Sequence, residues 1–288
     1  MKLSLVITAF DRCDDLRRFF SSIGDAIRFS PCNIQIIFVN QGFFEPLDEF
    51  EFLSQIEFLQ IHTEKLPLSS ARNLGLKYVS GDIIGFPDDD CWYPPTAIES
   101  IIRYFHYNPQ ISAICTNVYD PLLKKSYGNR PVNSSTNISF YNLFQLPISV
   151  GIFIRKDAFI SAGLYFDSSL GAGTKLGSGE ETDLIYRLLK LKLYIEYIGS
   201  IQIFHPVPLY ESADIEKYYR YGLGFGFLNG RILHNREFRV IPHFLNVLFR
   251  SLGGFFVHLF SSTERNLYLR RFLGICRGFI LGFKDGKC

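Results

Sequence analysis

Over residues 3 to 87 the chain alternates between short apolar runs of strand length and segments whose apolar residues recur at helical spacing, and this alternation limits the available folds more than any other feature. "LSLVITAF" is the first run, and "CDDLRRFFSSIGDAIRF" follows with Leu16, Phe19, Phe20, Ile23 and Ile27 at helical intervals. "NIQIIFV" and "IEFLQIH" read as the next two strands. "PLSSARNLGLKYVSG" reads as a helix with Ser69 or Ser70 near its start and Gly81 past its end. "DIIGF" closes the series as a short buried strand. Strands alternating with helices imply an α/β fold, a mostly parallel central sheet with helices on both faces.

At 288 residues, with 47% apolar and 20% charged side chains, the chain supports one large domain, or one domain plus an appendage. The opening "MKLSLVITAF" is broken by Thr8 and lacks a small-residue cleavage site, so it reads as a buried strand and not as a signal peptide. The six cysteines show no C-x-x-C spacing. Reduced thiols and a cytoplasmic location are therefore expected, and zinc is not. Charge changes sign along the chain. Residues 1–212 carry 18 Lys and Arg against 23 Asp and Glu, whereas residues 213–288 carry 12 against 5, a net +7. This places a boundary between an acidic unit, 1–212, and a basic, aromatic-rich helical extension, 213–288.

Open sheets of this class bind polar ligands at the carboxyl ends of their strands. Three polar groups fall there: Thr8 to Asp11, then Asn40-Gln41-Gly42, then Asp88, Asp89 and Asp90. Neighbouring carboxylates oppose one another's ionisation, so the triplet is either a solvated acidic turn or a site completed by a cation. Residues 119–147, with "KKSYGNRPVNSSTN", read as a long loop of the lid or substrate-binding kind. "ISVGIFIRKDAFISAGLYF" resumes a strand and a short helix. In "GAGTKLGSGEETDLIYRLLKLKL" the glycines make a flexible loop, and Glu180, Glu181 and Asp183 open a helix. Acids in a first turn are favoured by the helix dipole, so capping and chemistry are both open readings.

With "ITAFDR", "FVNQG", "SSARNLGL", "FPDDDCWYPP" and "GSGEETDLIYRLL" in this order, the chain resembles family 2 glycosyltransferases of the GT-A fold over roughly residues 3–206. The resemblance implies that the Asp88–Asp90 segment is the D-x-D motif, which holds a divalent cation, Mn²⁺ or Mg²⁺, against the diphosphate of a nucleotide-sugar donor. Asp90 is the first choice for direct metal contact. Asp88 lies nearer the ribose or a bridging water, and Asp89 also belongs to the donor site. Thr8, Ala9, Phe10 and Asp11 match the first nucleotide-binding loop. Asn40 stands where the family commonly has an Asp reading the base; an amide both donates and accepts, which leaves the identity of the base open. Arg72 matches an arginine near the nucleotide, against the alternative of a surface arginine on an amphipathic helix. Glu181 falls at the position of the catalytic base of an inverting transfer, with Glu180 or Asp183 in reserve. His205 is either a further metal or diphosphate ligand or a structural histidine.

The implied function is an inverting, metal-dependent sugar transferase acting on a hydroxyl acceptor, a glycan or lipid-linked glycan of the kind found in bacterial surface polysaccharide synthesis. Two rivals share the fold, a non-catalytic glycan-binding protein and a sugar-nucleotide nucleotidyltransferase. Nucleic acid is not an expected partner. In the extension, residues 213–235 read as a helix with Tyr218, Tyr219, Tyr221, Phe225 and Phe227 on the acceptor side. "HFLNVLFRSLGGFFVHLF" is interrupted by Arg250 and His258, and no uncharged run reaches the ~18–20 residues of a spanning helix. In "RRFLGICRGFILGFKDGK", Arg270, Arg277 and Lys284 recur every seven residues, and Gly274, Gly278 and Gly282 form a small-residue stripe. Two readings follow: helices packed on the catalytic unit, or peripheral attachment to an anionic membrane surface on the inner face of the cell membrane.

Overall fold

The computed structural model describes residues 1–43, 49–163, 165–207 and 215–286. The boundary expected between 212 and 213 lies outside the described residues. The first half runs β1 (Leu3–Ala9), α1 (Cys13–Phe29), β2 (Ile34–Asn40), β3 (Glu57–His62), α2 (Leu68–Leu76), β4 (Ile83–Gly85) and α3 (Ala97–Tyr107). Then come β5 (Ile111–Asp120), β6 (Lys125–Ser126), β7 (Ser135–Asn137), β8 (Ile152–Arg155), α4 (Lys156–Ser161), α5 (Glu180–Lys190) and β9 (Tyr194–Phe204). Three long helices follow: α6 (Ile215–His234), α7 (Ile241–Val257) and α8 (Ser262–Asp285).

The strands form one sheet in the order β3-β2-β1-β4-β8-β5-β9-β7, with β6 paired to β5. β1, β2, β3 and β4 are mutually parallel, and β5 pairs in parallel with β9. β8 inserts antiparallel between β4 and β5, so β5 and β9 point the same way as the first four strands. Every residue of β1 and β2 is buried, which fits strands covered on both faces and their near-continuous apolar sequences. One face packs on α1 and α3, where Phe19, Phe20, Ile23, Ile101 and Phe105 are fully enclosed with Leu3 and Leu5. The other face packs on α2, α4 and α5, through Leu76, Phe159, Leu184, Ile185 and Leu188. α2 lies close against the sheet because Gly75 has no side chain: a Cβ there would stand 2.6 Å from Cγ1 of Val6.

Two expectations change. The 119–147 stretch is not all loop, since it contributes β6 and β7 at the sheet's edge. The glycine-rich segment before α5 is shaped as well as open: Gly171, Gly173, Gly177 and Gly179 all have φ between 75° and 102°, the left-handed region that glycine adopts at no steric cost. Buried Leu170 and Leu176 pin this segment against Leu223, Phe227 and Leu228 of α6. The helical extension is thus packed on the α/β unit at α6. The Gly274, Gly278 and Gly282 stripe is consumed by α6, where Gly222, Gly226 and Gly230 meet it backbone to backbone.

Candidate active site

The carboxyl ends of β1, β2 and β4 lie side by side, and the loops leaving them carry the expected polar groups. After β1, Asp11 takes a left-handed backbone (φ 51°), and its carboxylate accepts from the Phe43 amide at 3.1 Å. At the end of β2, buried Asn40 accepts from the Gly42 amide at 3.1 Å. The Asp11 bond, with the Gln41 amide donating to the Ala9 carbonyl at 2.9 Å, joins the two loops into one rim. Thr8 and Ala9 are buried beneath it, and Phe10 projects from it with the Lys65 ammonium 3.9 Å from its ring centre.

The Asp triplet follows β4 in a tight turn, where the Cys91 amide donates to the Asp88 carbonyl. Trp92 and Phe204 then exchange two backbone hydrogen bonds of 2.9 Å, clamping the end of β9 onto the chain just past the triplet. That clamp delivers His205 to Asp90, with Nε2 3.0 Å from the carboxylate, while Nδ1 faces the Pro206 carbonyl at 2.7 Å. Arg12 approaches from the other side, 3.0 Å from Asp90 and 3.6 Å from Asp89. Burial opposes ionisation of Asp90, but the His205 and Arg12 hydrogen bonds and charges outweigh it and hold its pKa below the ordinary value. Burial likewise disfavours the His205 cation, and the hydrogen bond and charge of Asp90 overcome this and raise its pKa. Asp89 has weaker compensation: burial, with Asp90 and Asp88 nearby, pushes it up to about 7 despite Arg12. Asp88 turns the opposite way, 2.7 Å from Nη2 of Arg72. Ligand atoms of Asp88, Asp90 and His205 all lie within 4.8 Å of one another.

Arg72 is not the surface arginine of the alternative reading. It is fully buried, packs against the edge-to-face pair of Phe86 and Phe166, and reaches Glu180 with Nη1 at 3.4 Å. Asp88 and the start of α5 are therefore tied to one guanidinium. Glu181 is half-buried beside this pair, and desolvation together with the Glu180 charge raises its pKa. Asp183 points elsewhere, into an ion-pair cluster with Arg187 (3.0 Å) and Arg231 of α6 (3.3 Å). Of the three acids opening α5, one is tied to Arg72, one fastens α5 to α6, and Glu181 remains free of ion pairs among the described residues.

Three neighbours were not singled out by motif. Arg12 belongs to the "ITAFDR" stretch and lies against Asp89 and Asp90. Tyr127 stacks edge-on against His205 at 5.9 Å, and its hydroxyl is raised by burial and by Glu181, Asp88 and Asp90 together. Arg130 holds it in place by donating to the Tyr127 carbonyl at 2.6 Å and to the Leu146 carbonyl at 2.8 Å. Tyr221 of α6, one of the aromatics read on the acceptor side, has its hydroxyl pushed up to about 12 by partial burial and by Tyr127, Glu181 and Glu180.

The profile of glycosyl transferase family 2 matches residues 4–165. The chain belongs to this family. Its solved structural neighbours are GT-A glycosyltransferases of low sequence identity. The mannosyltransferase PcManGT of Pyrobaculum calidifontis, solved with GDP-Man and Mn²⁺, superposes with a TM-score of 0.60 at 11% identity, over 99% of this chain and 88% of that one. S. aureus TarS 1-349 with UDP-GlcNAc gives 0.56 at 14% identity, over 83% and 72%. Against the longer TarS chain the values are 0.58 and 14%, and this family 2 chain spans 44% of its length. No curated protein sequence matches the chain.

Proposed function

We propose that this family 2 protein transfers a sugar, with inversion, from a nucleotide-sugar donor to a hydroxyl of a glycan or lipid-linked glycan acceptor, as in the building of a surface polysaccharide. The observation that carries the reading is buried Arg72, which ties Asp88 of the triplet to Glu180, next to the candidate base Glu181. The donor set of two carboxylates and an imidazole suits Mn²⁺, and tolerates Mg²⁺ less well because that ion prefers oxygen ligands throughout. Asp88, Asp90 and His205 would hold the ion, whose charge would stabilise the departing diphosphate. The bound Mn²⁺ and the sugar nucleotides of the structural neighbours accord with this assignment.

The protein's own groups then divide the work. The joined rim of Asp11 and Asn40 receives the nucleoside. Arg72 holds Asp88 and Glu180 in place, and Arg12 restrains Asp89 and Asp90. In the transfer the acceptor oxygen bonds to the anomeric carbon as the bond to the diphosphate oxygen breaks on the opposite face. The acceptor proton passes to a Glu181 carboxylate oxygen. A raised pKa makes that carboxylate a stronger base than an ordinary glutamate. Tyr127 and Tyr221 line the acceptor side. A panel of sugar nucleotides tests this reading by donor hydrolysis. One donor is expected to be hydrolysed by wild type and lost on adding a chelator. Glu181→Gln is expected to bind that donor but turn it over about 10²–10⁴-fold more slowly. Full hydrolysis by Glu181→Gln, or in excess chelator, would refute it.

A further inference from the structure

α7 is apolar on both sides. Its inner side packs on α6 and α8, with Phe244 stacked on Phe225 and Phe279 and with Gly254 against the Tyr268 ring. Its outer side carries Leu245, Phe249, Phe256 and Val257 at helical spacing, and Phe260 follows fully exposed. Val257 is 78% exposed and Phe249 61%, whereas an ordinary surface helix is polar on its outer face. The most apolar 18-residue window of Phe238–Val257 has a mean hydropathy of 1.4, yet only 17% of it is buried. It is long and apolar enough to cross a bilayer, but it carries Arg239 and Arg250, and one side of α7 is already occupied along its length. Those facts describe a helix lying in an interface, with half its circumference available to lipid.

The charges around it select the occupant. From Asn235 to Gly286 there are eight Lys and Arg against three acids. Each acid is already paired: Glu237 with Arg239, Glu264 with His258, and Asp285 with Arg231. Arg250 is exposed on α7 itself beside Phe249, and Arg265 reaches back to donate to the Leu259 carbonyl next to the Phe260 tip. A second copy of the chain would bring these like charges together. Anionic head groups would complement them while acyl chains cover the phenyl rings.

We infer that the outer face of α7, with the Phe260 tip, is a membrane-docking surface that lies in the head-group region of an anionic bilayer. The anchor is therefore α7, with Arg250 and Arg265 supplying the attraction, whereas the arginine repeat of α8 lies on the side of that helix away from α7. The surface stands apart from the transfer chemistry, so its failure would leave the reading of the active site intact.

The experiment is flotation of the full chain with vesicles of phosphatidylglycerol plus phosphatidylcholine, and of phosphatidylcholine alone. Wild type is expected to float with the anionic vesicles and to be released by high salt. The triple variant Phe249→Glu, Phe256→Glu, Phe260→Glu should lose roughly tenfold or more of that binding with unchanged helical circular dichroism. A Phe260→Trp variant provides a second reading that needs no disruptive change: brominated acyl chains should quench its added fluorescence. Wild type remaining unbound with both vesicle types, or the triple variant binding as well as wild type, would overturn the inference. So would unquenched added fluorescence from vesicle-bound Phe260→Trp protein. Dimeric wild type with monomeric triple variant and no vesicle binding would assign the face to a second copy and overturn it equally.

Discussion

Replacing Arg72 by Met tests how the site is held together. The guanidinium is fully buried and serves two carboxylates of unequal exposure, Glu180 at 7% and Asp88 at 32%. Met fills much the same volume against Phe86 and Phe166, so the change removes charge more than packing. Removing one partner of a buried ion pair costs about 3–5 kcal/mol, because the other charge is left uncompensated. Glu180 carries most of this penalty. Asp88 is partly solvated and is screened by water, which brings the expectation to the lower end, about 3 kcal/mol. Adding Glu180→Gln to Arg72→Met removes the orphaned charge and should recover on the order of 1–2 kcal/mol, a coupling that a double-mutant cycle in urea reads directly. Arg72 also opposes the raised pKa of Glu181, so Arg72→Met should move the rate profile further alkaline, and adding Glu180→Gln should move it back. A single variant within ~1 kcal/mol of wild type, or a double variant no more stable than the single, would refute the argument that Arg72 balances buried charge.

Three further outcomes follow from the same geometry. Desolvation and the Glu180 charge raise the Glu181 pKa above that of an ordinary glutamate, so kcat/KM should rise with pH beyond the usual carboxylate range. The folded state holds that proton more tightly than the unfolded chain. The associated stability is full at low pH and lost as pH rises through the raised pKa, which should leave Glu181→Gln more stable than wild type in alkaline melts; equal stability there would contradict the raised pKa. Asp90→Asn takes the anion from between Arg12 and His205, so the His205 pKa should fall towards its ordinary value in an NMR titration, and an unchanged titration would refute the pairing. Gly278→Val would drive a side chain into the Leu223 carbonyl of α6 and should cost ~1–3 kcal/mol or more, with early proteolysis of α8, whereas Gly253→Ala meets nothing within 4 Å and should be neutral or stabilising.

β1, β2 and β4 were legible because each is short, largely apolar and bounded by polar residues, and α1 was legible because its inner face repeats at 3 to 4 residues. The stretch from Ala97 to Asp120 is not assigned by that alternation, although it supplies α3 and β5 near the sheet's centre. Its "IIRYF" and "ISAIC" runs are both short and apolar, and at that length periodicity does not separate a buried helix from a buried strand. The Asp triplet, Arg72 and His205 were each nameable from sequence. Their partners were not, because Asp90 meets His205 only through the Trp92–Phe204 bridge, a contact between residues far apart in the chain. Asp183 and Glu180 are equally acidic in sequence. Only the position of Arg231 on α6 and of Arg72 on α2 shows that both are engaged in ion pairs.

The most direct test of the central claim is anomalous diffraction at the manganese edge from crystals grown with Mn²⁺ and a nucleoside diphosphate. The account predicts a peak among the Asp88, Asp90 and His205 side chains, with the diphosphate against it and the base towards Asn40 and Asp11. A manganese peak only elsewhere, or a nucleotide bound away from the Asp triplet, would contradict it.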